Sequence, residues 1–206
     1  MKKNKTLIVL TALALALFAG SFVMAQETPA KDEAACADGM TPEMMAKWAE
    51  MATPAENHKA LDSMIGTWSA STKWWAAPGT EPMTSTGTCT NSWVLGGRWV
   101  RTDFKGEMMG QPFDGIGYMG YDNFKKKYVS TWMDSMSTAV MIAEGTMKDG
   151  VCTLTAEFDD FITGKKSSIR EVFKVIDNDH HVMEMYGPAP DGTEYLMMVI
   201  KYTRQP

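Results

Sequence analysis

Acidic and aromatic side chains are concentrated in residues 110–136, where groups for acid–base chemistry could lie. Asp134 stands two residues after Trp132, so in a β-strand both side chains point to one face. An aromatic neighbour shields a carboxylate from water, which is a common setting for a catalytic acid or base. Arg101 and Arg170 are candidate partners of Asp134, or a clamp for the anionic head of a ligand. The alternative interpretation is that Asp134 forms an inward salt bridge or caps a turn.

A second set of candidate groups is His180-His181, which follows a turn rich in Asp. In a strand, His181 shares a face with Met183 and Met185, and imidazole together with thioether can bind haem iron or copper. One hypothesis is therefore a haem or copper carrier. The alternative is a polar hairpin turn whose side chains face water, and we assign no metal ligand.

The run from Gly115 to Gly120 matches the G-x-G-x-x-G dinucleotide fingerprint. That motif binds a pyrophosphate only where a helix N-terminus follows, and here a turn and another strand follow. We expect these glycines to let a large neighbour such as Trp132 pack over the strand. Because no nucleophile elbow or Cys/His pairing is found, we assign no catalytic residue. A hydrolase or isomerase that uses Asp134 as acid or base stays an alternative.

The elements that would position these residues are β-strands, which begin at Gly66. Ten strand-like runs are separated by Gly, Asn, Asp and Pro, and the links are too short for crossover helices. Asp149-Gly150 is the clearest two-residue hairpin turn. Ten consecutive antiparallel strands can remove their exposed edges by closing. The sequence therefore predicts an all-β fold, an antiparallel up-and-down β-barrel of about ten strands over residues 66–206.

The segment before the barrel divides into three parts. Lysines near the start, the apolar run 7–18 and the small residues before Gln26 indicate a signal peptide over residues 1–25. Residues 26–40 are polar and without periodicity, which predicts a disordered linker. We therefore expect an exported protein, periplasmic or secreted, with no membrane span in its mature form.

Residues 41–65 are predicted to form a helical lead-in of two short helices. Thr41 is a candidate N-cap with Pro42 in the first helical position. Thr53 and Glu56 have capping-box spacing, so the second helix is expected to run from there to about residue 64. His58 shares a face with neighbouring apolar residues and is expected to lie beside the barrel.

Composition limits the classes of partner. The chain of 206 residues has a net charge of −5 and no large Lys/Arg cluster, which argues against nucleic acid. Its 19 Met and 7 Trp are typical of an adaptable apolar core or pocket. There are three cysteines, an odd number. Cys36 lies in the linker, and we expect Cys89 and Cys152 to be small buried residues.

Gly66-Thr67-Trp68 after a short helix resembles the G-x-W signature of the calycins, the superfamily of lipocalins and fatty-acid-binding proteins. In lipocalins an Arg near the end of the last strand packs across that Trp, and Arg204 has this position. More closely, HKALDSMIGTW, MMGQPFDGIGYMGYDN, KKYVSTWMDSM and the final KYTR resemble a bacterial family catalogued as domain of unknown function 1579. This resemblance covers about residues 54–205. It implies a calycin-like barrel and no particular reaction.

The function that these features favour is ligand binding. An exported calycin-like barrel would hold a small, largely apolar or amphipathic molecule in its interior. Its predicted wall includes Trp74, Trp99, Tyr118, Trp132, Met198 and Tyr202, with Asp134, Arg101 and Arg170 at the polar end. The residues of the structural signature are Gly66, Trp68 and Arg204.

Overall fold

The structure, a computed structural model, describes residues 39–160 and 163–206. The predicted signal peptide, all but the end of the predicted linker, and Cys36 lie outside the described residues. The helices that precede the strands in the described residues include α1 (Pro42–Ala52), α2 (Glu56–Lys59) and the 3₁₀ helix Asp62–Met64. Among the described residues, no helix has the length and apolar character needed to cross a membrane.

Ten strands follow, and they form one closed antiparallel barrel in which each strand pairs with its neighbours in sequence. Pairing of the first strand with the last closes it. The strands are β1 (Gly66–Trp74), β2 (Met83–Val94), β3 (Trp99–Met108), β4 (Gln111–Asp122), β5 (Lys127–Asp134), β6 (Met141–Lys148), β7 (Val151–Asp159), β8 (Lys166–Val175), β9 (His180–Pro188) and β10 (Glu194–Arg204). The predicted fold class is confirmed.

Local sequence explains the tight turns. Asp149 and Gly150 join β6 to β7, and both have positive φ angles, 51° and 76°. Two consecutive positive φ angles define the hairpin turn whose twist matches the flanking strands, and Asp-Gly is a preferred pair for it. The predicted two-residue turn is confirmed.

The glycines of β4 serve the packing of Trp132. Gly115 pairs with Asp134 and Gly117 pairs with Trp132 in the β4–β5 ladder. A Cβ atom at Gly115 would overlap the six-membered ring of Trp132, and one at Gly117 would lie 3.1 Å from the same ring. The indole therefore lies over a strip of bare backbone, as the sequence predicts.

One end of the barrel is closed by residues 55–65, which we call the helical plug. Leu61 of this plug is wholly buried. Strand side chains bind its backbone: the indole of Trp68 and the amide of Asn91 both donate to the carbonyl oxygen of Met64, each at 2.9 Å. The hydroxyl of Tyr128 donates to the carbonyl oxygen of Asn57 at 3.0 Å. Each of these bonds satisfies a plug carbonyl that no strand ladder can reach.

Arg204 completes this closed end. Its guanidinium lies 4.0 Å from the ring of Trp68. It donates to the carbonyl oxygens of Ile65, Ser63 and Asn178 at 2.7, 3.2 and 2.8 Å. A Cβ atom at Gly66 would lie 2.5 Å from its Nη1 atom, so a larger residue there would displace the guanidinium. The predicted cation–π contact is confirmed.

The two helices agree with the sequence prediction only in part. Thr41 caps α1, since its hydroxyl accepts from the N–H of Met44 at 3.2 Å. The capping box predicted at Thr53 is wrong. Its hydroxyl donates instead to the carbonyl oxygen of Ala49, and α2 begins after Ala55. The buried His58 accepts from the N–H of Ala55 through Nδ1, and so performs the capping that was predicted for Thr53.

Candidate ligand-binding cavity

The barrel interior holds a cavity of about 370 Å³. This volume lies within the range of sites for small molecules. Its wall is mainly thioether and aromatic, with Met119, Met183, Met185, Met198, Phe104, Phe113 and Phe173 among the lining residues. A smaller number of polar side chains, including Thr72, Thr102 and Ser130, interrupt this apolar wall. The cavity extends from Met64 in the helical plug towards Met136, beyond the end of β5.

Trp132 and Asp134 of β5 line the cavity on the side away from the plug. The indole N–H of Trp132 donates to Oδ2 of Asp134 at 2.9 Å. The backbone N–H of Met136 donates to Oδ1 at 2.9 Å. Both carboxylate oxygens therefore have protein partners, and Asp134 orients the indole and caps the turn after β5. This agrees with the turn-capping interpretation, while its use as an acid or base stays a prediction.

Glu171 of β8 is the second inward-facing carboxyl group, and its environment differs. The residue is only 3% exposed, and its cross-strand neighbours are Leu154 and Met185. Its Oε2 atom is enclosed without a hydrogen-bond partner, and the described residues provide none for the other oxygen. Burial raises the pKa of this carboxyl to about 7. Near neutral pH, Glu171 can therefore either donate or accept a proton.

His181 and Tyr202 line the cavity at its plug end. The His181 ring stacks on Tyr202, with centroids 4.3 Å apart, and meets Trp68 edge-on at 4.2 Å. Burial, and then the nearby Arg204, lower the pKa of His181 to about 4. Burial also raises the pKa of the Tyr202 hydroxyl. Both side chains are therefore uncharged at neutral pH and offer hydrogen bonds without charge.

The haem or copper hypothesis depends on His181. A neutral imidazole can bind a metal, and Met183 and Met185 lie on the same face of β9. Trp68 meets the ring edge-on and Tyr202 stacks on it. Within the described ranges, no three His, Cys, Asp or Glu side chains are arranged to hold a metal ion. The hypothesis stays a prediction, and haem or copper uptake by His181→Ala would test it.

The thiols are not placed for nucleophilic chemistry. Cys89 and Cys152 are both free and buried, as predicted. Burial raises the pKa of each thiol to about 12. A thiol, rather than the reactive thiolate, is therefore present at neutral pH.

Comparison with known proteins identifies the family. Residues 53–204 match the model of the family described as "Protein of unknown function (DUF1579)". The chain belongs to this family. No curated protein matches the sequence. The DUF1579 match begins at Thr53, so it includes the helical plug and nearly all of the barrel.

The solved structures that resemble this DUF1579 barrel include the following two. One is Rv2717c from M. tuberculosis, with 14% identity and a TM-score of 0.54, covering 75% of this chain and 100% of that one. The other is the S-type phycobiliprotein lyase CPES from Guillardia theta, with 12% identity and a TM-score of 0.52, covering 74% of this chain and 99% of that one. At these identities the likeness shows a shared fold.

Several predicted site residues do line the cavity of this DUF1579 protein. Trp132, Asp134, Met198 and Tyr202 lie in its wall. Their strands bring together residues from the middle and the end of the chain, since β10 closes the barrel against β1. Tyr118 borders the cavity, but it pairs with Arg101, so its side chain belongs to the outer face and its predicted placement is corrected. Trp74 is paired with Met198 at the end of β1 and is not part of the wall.

Three other predicted residues lie outside the cavity, which corrects their placement. Trp99 packs against Gly120, where an added Cβ would lie 2.8 Å from the indole. Arg101 donates to Asp103 at 2.7 Å, beside it on the outer face of β3. These two residues alternate with Val100, whose side chain is wholly buried in the interior. Neither can therefore contact a molecule bound inside.

Arg170 also lies on the outer face, and it is fully engaged there. Its guanidinium donates to both carboxylate oxygens of Glu194, at 3.0 and 2.5 Å, and lies 4.0 Å from the ring of Tyr186. The predicted pairing of Arg170 or Arg101 with Asp134 is therefore absent among the described contacts. The polar end of the cavity is not basic.

Glu171 is the cavity residue that the sequence analysis left out of the predicted site. Its signal lies in β8, where Ile169, Glu171 and Phe173 alternate with Arg170 and Val172. A single carboxyl group on an otherwise apolar face of a strand marks a charge that points into a core. In this DUF1579 protein, none of the described residues is a hydrogen-bond partner of that carboxyl group.

Proposed function

We propose that this protein binds a small, largely apolar molecule inside its barrel. The observation that carries the proposal is the cavity of about 370 Å³, whose thioether and aromatic wall is interrupted by few polar groups. Such a wall disfavours hydrophilic ions and small polar metabolites, because most of their lost hydration would not be replaced. Methionine side chains adapt to ligands of different shape, which suits a binding site more than a rigid core.

Titration with the neutral fluorophore N-phenyl-1-naphthylamine tests this proposal. We expect saturable enhancement of its fluorescence, together with a change in the emission of Trp132, whose ring lines the cavity. The variant Thr72→Phe places a ring inside the cavity, where it clashes with the bound fluorophore. We expect this clash to reduce the affinity for the fluorophore by about tenfold or more. Ser71→Phe is the matched control, because Ser71 is the exposed neighbour on the outer face of β1.

The proposal fails if the fluorophore does not bind to the purified protein. It also fails if Thr72→Phe and Ser71→Phe bind it equally well, since the fluorophore would then occupy the outer surface. Circular dichroism of both variants establishes that each retains the barrel before binding is compared.

We further propose that the protein acts after export, in the periplasm or outside the cell. The support is the pattern of residues 1–25, a positive start followed by an apolar run and small residues. Expression of the full chain in a bacterial host, followed by N-terminal sequencing of the periplasmic fraction, tests this. A start at or near Gln26 is expected, whereas an uncleaved cytoplasmic protein would contradict the proposal.

A further inference from the structure

The charged side chains that line the cavity are acidic. Among the described residues of its wall, the carboxyl groups are Glu171, Asp134 and Glu107, and none is Lys or Arg. His181 is the one other residue there that could carry a positive charge, and its lowered pKa keeps it neutral at physiological pH. The arginines expected at the polar end lie on the outer face. The interior therefore presents negative charge to any ligand that enters.

Two of these carboxyl groups, Asp134 and Glu171, differ in what remains for a ligand. Asp134 already accepts from Trp132 and from the backbone N–H of Met136. Glu171 has no hydrogen-bond partner within the described residues, although it is almost completely buried. Its charge acts on two titratable neighbours, Cys152 and Tyr202, and both are protonated at neutral pH. Neither supplies the positive charge that a buried carboxylate requires.

A ligand with a positively charged hydrogen-bond donor would supply the partner that the carboxyl group of Glu171 lacks. Glu171 has already lost its hydration in the folded protein. A bound cation therefore gains the electrostatic attraction to the carboxylate without a second loss of that hydration. A charge-assisted hydrogen bond in such surroundings is stronger than one between neutral groups. An anionic ligand would instead place a second negative charge beside Glu171, which is unfavourable.

We infer that the cavity selects apolar molecules that carry a positive charge, lipophilic amines in the first instance, and that Glu171 binds the ammonium group. This inference rests on the proposed function and adds the class of ligand to it. It also distinguishes this barrel from a carrier of fatty acids, whose carboxylate head requires a cationic partner.

Two matched series of ligands test the inference. Decylamine, decanol and decanoate form one, and 2-naphthylmethylamine, 2-naphthylmethanol and 2-naphthoate form the other. Each competes with N-phenyl-1-naphthylamine at pH 8.5, below its aggregation concentration. In at least one series we expect the amine to bind about tenfold more tightly than the alcohol, and the carboxylate more weakly than the alcohol.

The variant Glu171→Gln identifies the residue responsible. It removes the charge and keeps the shape, so it is expected to lose the preference for the amine over the alcohol. Glu184→Gln is the matched control, because Glu184 lies on the outer face of β9 and is paired with Lys174 at 2.7 Å. This control is expected to keep the full preference.

Each outcome separates the inference from the proposed function. If the alcohols bind as tightly as the amines, or the carboxylates bind best, the inference fails and ligand binding stands. If the amines are preferred but Glu171→Gln keeps that preference, the assignment to Glu171 is wrong. If Glu171→Gln does not fold, the comparison of the three ligands on the wild type still decides the class. If no ligand of either series displaces the fluorophore, the inference fails and ligand binding stands, whereas a fluorophore that does not bind contradicts both proposals.

Discussion

The closed end of the barrel and the middle of its cavity use buried polar groups in opposite ways. At the closed end, Arg204 donates to three backbone carbonyl oxygens and covers the face of Trp68. In the cavity, Glu171 is more deeply buried and has no hydrogen-bond partner among the described residues. Buried polar groups whose hydrogen bonds are all formed stabilise a fold, whereas a buried polar group without a partner destabilises it.

This difference indicates which region maintains the structure and which is available for binding. A site that holds a ligand commonly contains groups whose partners arrive with the ligand, at some cost in stability. At the closed end, by contrast, all three guanidinium nitrogens of Arg204 already donate hydrogen bonds to the protein. The contrast can be tested by changing each region in turn.

The largest effect is expected for Arg204→Ala at the closed end. The change removes the donors for the carbonyl oxygens of Ile65, Ser63 and Asn178 and uncovers Trp68. We expect a loss of about 3–5 kcal/mol in the free energy of unfolding, measured with urea. Arg98→Ala is the control, since Arg98 is exposed at the same end, and it is expected to change stability by less than about 1 kcal/mol. Equal effects would mean that Arg204 does not hold the plug.

An opposite change is expected for Glu171→Gln in the cavity. Burial raises the pKa of Glu171 from 4.5 to about 7, so the folded state binds its proton more tightly than the unfolded state. The stabilisation from that proton is complete below pH 4.5 and is lost as the pH rises to about 7. At pH 8 the variant should therefore be more stable than the wild type by roughly 3 kcal/mol at most. A destabilised variant at pH 8 would show that Glu171 has a partner in solution.

His181, at the closed end of the cavity, should show the reverse dependence on pH. Its pKa falls from 6.5 to about 4 in the folded protein. The contribution of the neutral His181 to stability is therefore fully present above pH 6.5 and declines as the pH falls towards 4. In the wild type this slope opposes that of Glu171 between pH 4.5 and 6.5. We expect Glu171→Gln to lose stability steadily as the pH is lowered through this interval. If the stability of Glu171→Gln depends on pH as little as that of the wild type, the lowered pKa of His181 is contradicted.

A smaller effect is expected for Gly115→Ala, where β4 supports the indole of Trp132. The added methyl group overlaps the indole, and we expect a loss of about 2 kcal/mol in stability. The same change in a Trp132→Ala background should cost much less, because the ring that it meets is gone. A double-mutant cycle measures this coupling. Additive losses would mean that the glycine serves another purpose.

The sequence predicts the barrel well because its signals are local. Alternating apolar residues, short glycine-rich links and the Asp149-Gly150 turn depend only on near neighbours. Trp68 and Arg204 could be paired across the whole chain only through the family resemblance. The failure of the Thr53 capping box is also local, because the side chain of His58 takes the same role.

The cavity wall is harder to predict, because the face of a strand that points inward depends on its neighbours. Trp132 and Asp134 were placed correctly from their spacing, but the same spacing does not say whether Trp99 and Arg101 point in or out. Pairing across the sheet decides this. The lone carboxyl of Glu171 on an apolar strand face is a stronger indicator than any aromatic residue, because an inward charge is rarely tolerated without a purpose.

The hydrogen bonds of Arg204 also bear on how the chain folds. Arg204 donates to the carbonyl oxygen of Ile65, which lies 139 residues earlier in the sequence. The nine hairpin ladders join neighbours and can form as each pair of strands becomes available, but the β1–β10 ladder joins the two ends of the domain. Bringing such distant segments together has a large entropic cost and slows folding. The barrel can therefore close, and the plug can become fixed in place, only after the last strand has been synthesised.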